Sequence, residues 1–146
     1  MSANKIIEKN NKIFAEVRKL EFPLGHYAIT SSGPLGIRGL RLIGDADLVV
    51  DDYLWKELSK KHNPIIEDGS PKKIVLANGL VEVLHEGSFY YNYQPEDPSI
   101  DEQIETADVI DGLPFVSLKY IKYFKQKIGR DKDKKDVVLI DKFLEL

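Results

Sequence analysis

Residues 31–50 read SSGPLGIRGLRLIGDADLVV, and this stretch decides both the predicted fold and the candidate chemistry. It joins a small-residue turn, two arginines and a pair of aspartates, Asp45 and Asp47, which begin an apolar run typical of a strand. Residues i and i+2 of a strand point to the same face, so the two carboxylates are predicted to project side by side. Adjacent carboxylates repel each other unless a cation lies between them, and such oxygen pairs suit Mg²⁺. The segment therefore predicts half of a metal–nucleotide site.

The composition limits the classes of protein to which the chain can belong. Its 146 residues predict a single domain over residues 1–146, and the ordinary apolar fraction argues against disorder. A net charge of −3 gives no general attraction to nucleic acid or to anionic membranes. The chain has no cysteine, which excludes disulfides, thiolate zinc sites and cysteine nucleophiles. It lacks a signal-peptide pattern and a bilayer-spanning apolar run, so we expect a cytoplasmic protein with no membrane partner.

Hydrophobic periodicity predicts helices and strands along the whole chain, which indicates the α+β class. The predicted helices cover residues 4–20, 34–39, 53–61, 101–107, 118–127 and the segment from 131 onward. The predicted strands cover residues 26–30, 45–50, 73–77 and 80–84, with a short strand or hairpin around Gly112. The sequence Ala77-Asn78-Gly79 predicts a tight turn between two of these strands, and residues 67–71 are predicted to be loop. The predicted end signals of the helices are Asp51 or Asp52, Ser117 and Gly129.

The last predicted helix has an apolar stripe at helical spacing. We expect this stripe to be its buried face. Its members are Val137, Val138, Ile140, Phe143 and Leu144.

The order helix, strand, Ser-Gly turn, helix and Asp-x-Asp strand resembles the nucleotidyltransferase-fold superfamily. The shared signature is a small-residue turn, about a dozen residues, and then two carboxylates separated by one apolar residue. Here the turn is Ser31-Ser32-Gly33 and the carboxylates are Asp45 and Asp47. Gly39-Leu40-Arg41 resembles the Gly-x-Arg of a small bacterial and archaeal branch. Towards the C-terminus, Lys125, Gly129-Arg130-Asp131-Lys132-Asp133 and Asp136 resemble the closing motif of the same branch, so the resemblance covers residues 20–146.

The resemblance implies an α+β, nucleotidyltransferase-like fold, with a central mixed sheet of about four to five strands, flanking helices and a helical C-terminus. It also implies a two-metal phosphoryl-transfer site that holds Mg²⁺ or Mn²⁺ and takes a nucleoside triphosphate as substrate. Asp45, Asp47 and a third carboxylate on a later strand, Glu82, would bind the metal and act in catalysis. The residues implied in nucleotide binding are Ser31, Ser32, Gly33, Arg41 and Lys125.

Each of these residues also has a structural interpretation. Glu82 lies between Val81 and Val83, where burying a carboxylate is costly without a cation or a partner. Its alternative place is the solvent face of an edge strand. The Ser31-Ser32-Gly33 turn can present N–H groups to a phosphate, or it can be a simple helix cap.

The basic residues leave the same choice open. Arg41 can clamp a phosphate through its guanidinium, or it can pair with Asp45 or Asp47 and hold their strand. Lys125, with Arg130 and Lys132, can face a phosphate. The alternative is a charged interhelical turn, in which Arg130 or Lys132 pairs with Asp133 or Asp136.

The predicted function is transfer of a nucleotide from a nucleoside triphosphate to a hydroxyl or phosphate acceptor on a small molecule, a protein or RNA. Tyr90, Tyr91 and Tyr93 can stack on a base or anchor a loop on the core. The alternative function is a catalytically inactive module of the same fold that binds a nucleotide or a protein partner. By analogy with small members of the superfamily, the resemblance also implies a protein partner or a homo-oligomer.

Overall fold

The computed structural model describes residues 1–86 and 94–145, and it confirms the α+β class. The helices are α1 (Ala3–Lys19), α2 (Gly33–Ile37), α3 (Asp52–Lys61), α4 (Ile100–Glu105), α5 (Leu118–Ile128) and α6 (Asp131–Leu144). The strands are β1 (Tyr27–Thr30), β2 (Ala46–Val50), β3 (Ile65–Glu67), β4 (Ser70–Leu76), β5 (Val81–Leu84), β6 (Asp108–Ile110) and β7 (Leu113–Phe115). In the described part of the chain, no helix has the length and apolar character that crossing a membrane requires.

The strands form one mixed sheet in the order β3-β4-β5-β2-β1-β7-β6. Two pairs are parallel, β2 with β5 and β1 with β7, and the other neighbouring pairs are antiparallel. The sheet has seven strands, so the expected four to five was wrong. The missed strand is β3, whose residues are all exposed and carry no apolar alternation. A short strand or hairpin was predicted at β6 and β7, and the structure has the hairpin; its membership of the main sheet depends on pairing between β7 and β1, which are far apart in sequence.

The sheet is buried on both faces around its central strands. Leu48 of β2 points into a core formed with α1 and α3, together with Phe14 and Leu54. Its neighbour Val49 points to the opposite core, formed with α4, α5 and α6. Burial on both faces explains why residues 48–50 form a continuous apolar run rather than an alternating one. By the same alternation, Asp47 lies on the face that carries Val49.

Most of the predicted end signals are confirmed. Asp51 is the N-cap of α3 and its side chain accepts a hydrogen bond from the Leu54 backbone N–H at 2.9 Å. Ser117 caps α5 in the same way, and Gly129 ends that helix in the left-handed conformation with a φ of 71°. These ends were predictable because caps are local chemistry.

The predicted hairpin between β4 and β5 is confirmed, although its connection is longer than a two-residue turn. Leu76 pairs with Val81, so residues 77–80 form the loop. Ala77, Asn78 and Gly79 all have positive φ values. The Asn-Gly signal therefore predicted the hairpin correctly, while pairing between the strands determined the length of the loop.

The predicted buried face of the last helix was wrong in most of its members. Val138, Phe143 and Leu144 are 52%, 37% and 56% exposed, and only Ile140 of the predicted stripe is fully buried. The buried stripe of α6 instead consists of Asp133, Asp136 and Ile140, at positions i, i+3 and i+7. Apolar periodicity missed this face because two of its three members are aspartates.

Candidate metal centre

Three carboxylates converge where β2 and β5 run side by side. Asp45 immediately precedes β2 and Asp47 is its second residue, and the parallel register places Glu82 of β5 directly beside Asp47. One carboxylate oxygen from each residue lies within 4.8 Å of the other two. β5 is an inner strand between β4 and β2, so the edge-strand alternative for Glu82 was wrong. The sequence thus named three residues that the fold brings together.

The electrostatics of this cluster are those of a site with excess negative charge. Burial, the charges of Asp45 and Glu82, and a hydrogen bond with Glu82 raise the pKa of Asp47 to about 7. Burial and the charge of Glu82 also raise the pKa of Asp45. Among the described residues, Asp47 Oδ1 is buried and has no hydrogen-bond partner. A buried oxygen without a partner is unfavourable, and a divalent cation that prefers carboxylate oxygens would satisfy it, so the donor set fits Mg²⁺ or Mn²⁺.

A lysine that was not predicted as a site residue contacts the cluster. Lys73 Nζ lies 2.9 Å from Glu82 Oε1, and the side chains of the two residues are 31% and 24% exposed. Lys73 reaches Glu82 because the β4–β5 register pairs it with Leu84, which makes it a diagonal neighbour of Glu82. The hairpin register is the signal that could have found this residue.

The Ser31-Ser32-Gly33 turn begins beside the carboxylates. Thr30, the last residue of β1, lies opposite Asp47 in the antiparallel register. Ser31 has a φ of 58°, a conformation that is uncommon for a residue with a side chain. Ser32 is the N-cap of α2, but its side chain makes no capping hydrogen bond. The turn is therefore a helix N-cap by position, as the structural alternative predicted, although the Ser32 hydroxyl does not cap α2.

Gly33 has a packing reason for being glycine. A Cβ at this position would lie 2.3 Å from Ile29 Cγ2 and 3.9 Å from Phe14 Cε1. Both neighbours belong to the core beneath the turn. The absent side chain allows α2 to approach the sheet closely, and the phosphate-binding role of Gly33 stays a prediction.

Arg41 and Lys125 meet at a buried aspartate of α6. Arg41 Nε and Nη2 donate to Asp136 Oδ1 at 2.7 Å and Oδ2 at 2.9 Å. Lys125 Nζ lies 2.8 Å from Asp136 Oδ2 and 3.6 Å from Asp133 Oδ1. Burial opposes ionisation of Asp136, but the hydrogen bonds from Arg41 and Lys125 outweigh it and lower the pKa of this carboxyl.

This network corrects one expectation and confirms another. Arg41 pairs with Asp136, so the predicted alternative, in which Arg41 pairs with Asp45 or Asp47, was wrong. Arg130 donates to Asp133 through its backbone N–H and its guanidinium, as the interhelical alternative predicted. The network joins the loop before β2 to α6. A phosphate-binding role for Arg41 or Lys125 stays a prediction.

Tyr90, Tyr91 and Tyr93 lie outside the described residues.

Comparison with known proteins does not add a family to this description. No protein-family model matches the chain, and no curated protein sequence matches it. The nucleotidyltransferase resemblance therefore rests on the residues and their arrangement alone.

Proposed function

We propose that this protein is a metal-dependent nucleotidyltransferase. It would move a nucleotide from a nucleoside triphosphate to a hydroxyl or phosphate group of an acceptor. The observation that carries the proposal is the convergence of Asp45, Asp47 and Glu82 within 4.8 Å across two parallel strands. The three residues were named from sequence for this role, and they come from segments about 35 residues apart.

In this proposal Asp45, Asp47 and Glu82 hold Mg²⁺ or Mn²⁺. The buried, unpartnered Oδ1 of Asp47 supports a cation at this position, since it otherwise lacks a partner among the described residues. A bound divalent cation would neutralise the charge that develops on the attacking and leaving oxygens. Glu82, on the strand beside Asp47, would help to activate the acceptor hydroxyl.

The nucleotide is assigned to the turn between β1 and α2. Because Thr30 lies opposite Asp47, phosphates held by Ser31, Ser32 and Gly33 would lie close to the carboxylates. We assign Arg41 and Lys125 mainly a positioning role, since both are committed to Asp136.

The finer fold and the cellular setting are part of the proposal. We assign the helix–strand–turn–helix–strand unit, with β5 parallel to β2, to a nucleotidyltransferase-like fold. The acceptor is a small molecule, a protein or RNA, and a protein partner or a second copy of the chain can complete the active form. A cytoplasmic location remains a prediction from the sequence.

The proposal is tested by transfer of label. Purified protein is incubated with α-phosphate-labelled nucleoside triphosphates, Mg²⁺ or Mn²⁺, and fractionated cell extract. We expect a labelled acceptor with the wild type and none with Asp47→Asn or Glu82→Gln. Asp101→Asn, an exposed carboxylate on α4, is the matched control and should retain transfer. Circular dichroism checks that each variant is folded.

The possible results separate the two functions. Transfer by a folded Asp47→Asn variant would contradict the metal assignment. If no acceptor is labelled but Mg²⁺ and a triphosphate together raise the melting temperature, the inactive binding module is favoured. If neither transfer nor nucleotide binding occurs, both the nucleotidyltransferase and the nucleotide-binding module are wrong.

A further inference from the structure

Lys73 brings a positive charge into direct contact with the carboxylate cluster. Its Nζ lies 2.9 Å from Glu82 Oε1, and both side chains are largely shielded from solvent. Glu82 pairs with Val75 across β4 and β5, so Lys73, two residues before Val75, lies on the same face of the sheet as Glu82. The ammonium therefore stands on the face to which Asp47 and Glu82 project.

The influence of Lys73 extends beyond its contact with Glu82. Its charge acts against the raised pKa of Asp45 and also against that of Asp47. Lys132 acts in the same direction on Asp45. The charge of Lys73 thus acts on all three carboxylates. Lys73 lies on β4, the strand next to the one that carries Glu82.

We propose that Lys73 is the built-in counter-cation of this cluster, and that a divalent metal ion must displace its ammonium from Glu82 in order to bind. This inference rests on the metal site of the proposed function. An ammonium and a metal ion compete for the negative charge of the same Glu82 carboxylate, and they repel each other at close range. The flexible four-carbon stem of lysine lets the ammonium move away while the backbone of β4 stays in place.

The displaced ammonium has a natural second partner in the triphosphate. Phosphate oxygens that approach the metal bring negative charge to the place from which Lys73 has been expelled. Metal and nucleotide would therefore bind better together than apart, because the phosphate removes the cost of displacing the lysine. Lys73 is a positioning residue in this scheme, and the competition between its ammonium and the metal sets the affinity for metal alone.

The test measures the affinity for Mn²⁺ alone by titration calorimetry. Lys73→Met and Lys73→Gln remove the competing charge, and we expect each to bind Mn²⁺ about tenfold more tightly than the wild type. Lys73→Arg keeps the charge and should stay near the wild-type value. The matched control is Lys72→Met, which makes the same change of net charge one residue away, where the pairing of β4 with β3 shifts register. This control should change the affinity less than twofold.

A second titration uses a non-hydrolysable triphosphate analogue. In the wild type the analogue should tighten Mn²⁺ binding, and the gain should be smaller in Lys73→Met, which has no displaced ammonium to accommodate. Thermal melts check that each variant is folded. Because Lys73→Met and Lys73→Gln both remove the charge, the test can still be made if one of them does not fold.

The results distinguish failure of this inference from failure of the metal site. If the wild type binds Mn²⁺ and folded Lys73→Met and Lys73→Gln bind it no more tightly, the counter-cation role is overturned while the metal site stands. If only the neutral variants bind Mn²⁺, displacement of the lysine is supported in its strongest form. If neither the wild type nor the neutral variants bind it, both the inference and the proposed metal site are overturned.

Discussion

Asp47→Asn should stabilise the protein at alkaline pH, although it removes a residue of the proposed site. The folded-state pKa of Asp47 is about 7, against an ordinary value of 3.8, mainly because the carboxylate is buried. The folded state therefore holds this proton more tightly than the unfolded state, and stability falls as pH rises between these two values. At about 1.36 kcal/mol per pH unit, ionising Asp47 costs about 4 kcal/mol at pH 8, of which roughly 3 kcal/mol develops above pH 5.

The assay is urea unfolding at several pH values from 5 to 8 with a metal chelator present. The introduced asparagine side chain cannot ionise, so the variant should be more stable than the wild type by up to about 4 kcal/mol at pH 8, and by less at pH 5. Groups that do not interact with Asp47 cancel in the difference between the two proteins, so the difference reports on Asp47 and the carboxylates coupled to it. A folded Asp47→Asn variant that is less stable than the wild type at pH 8 would refute the reasoning.

Three further outcomes follow from the same contacts. Mn²⁺ affinity should rise with pH up to about 7, because metal binding must release the proton of Asp47, and calorimetry at pH 6 and 8 should detect the rise. Equal Mn²⁺ affinities at pH 6 and pH 8 would contradict this prediction. Asp136→Asn should lower the free energy of unfolding by about 3–5 kcal/mol, since it leaves the charges of Arg41 and Lys125 without their buried partner; a loss under about 1 kcal/mol in urea unfolding would argue against the network. Gly33→Ala should lower the free energy of unfolding by about 1–3 kcal/mol, because its Cβ would meet Ile29 Cγ2. When it is added to Gly33→Ala, Ile29→Val retains a Cγ2 and should therefore restore less of the lost stability than Ile29→Ala.

Local chemistry was readable from the sequence with good accuracy. The cap at Asp51, the left-handed Gly129 and the apolar run after Asp45 each depend on a few neighbouring residues. The strand β3 was missed for the complementary reason. Its exposed residues form a strand only because β4 pairs with them.

The same distinction between local chemistry and long-range pairing applies to the candidate site. The sequence by itself predicted that Asp45 and Asp47 project together, because alternation along a strand is a property of the backbone; in the structure Asp45 is the residue just before β2. It could name Glu82 as the third carboxylate only through a resemblance. The tertiary structure decided that β5 lies parallel to β2, and this register puts Glu82 beside Asp47.

For charges on distant segments, only the tertiary structure decided which of them neutralise one another. Lys73 reaches Glu82 through the β4–β5 register, and Arg41 reaches Asp136 across 95 residues of chain. A sequence shows that the chain carries these charges in near balance, since its net charge is −3. Partner choice depends on distances of about 3 Å between atoms that folding alone brings together, because short-range contact and burial, more than sequence separation, set the strength of a charge pair.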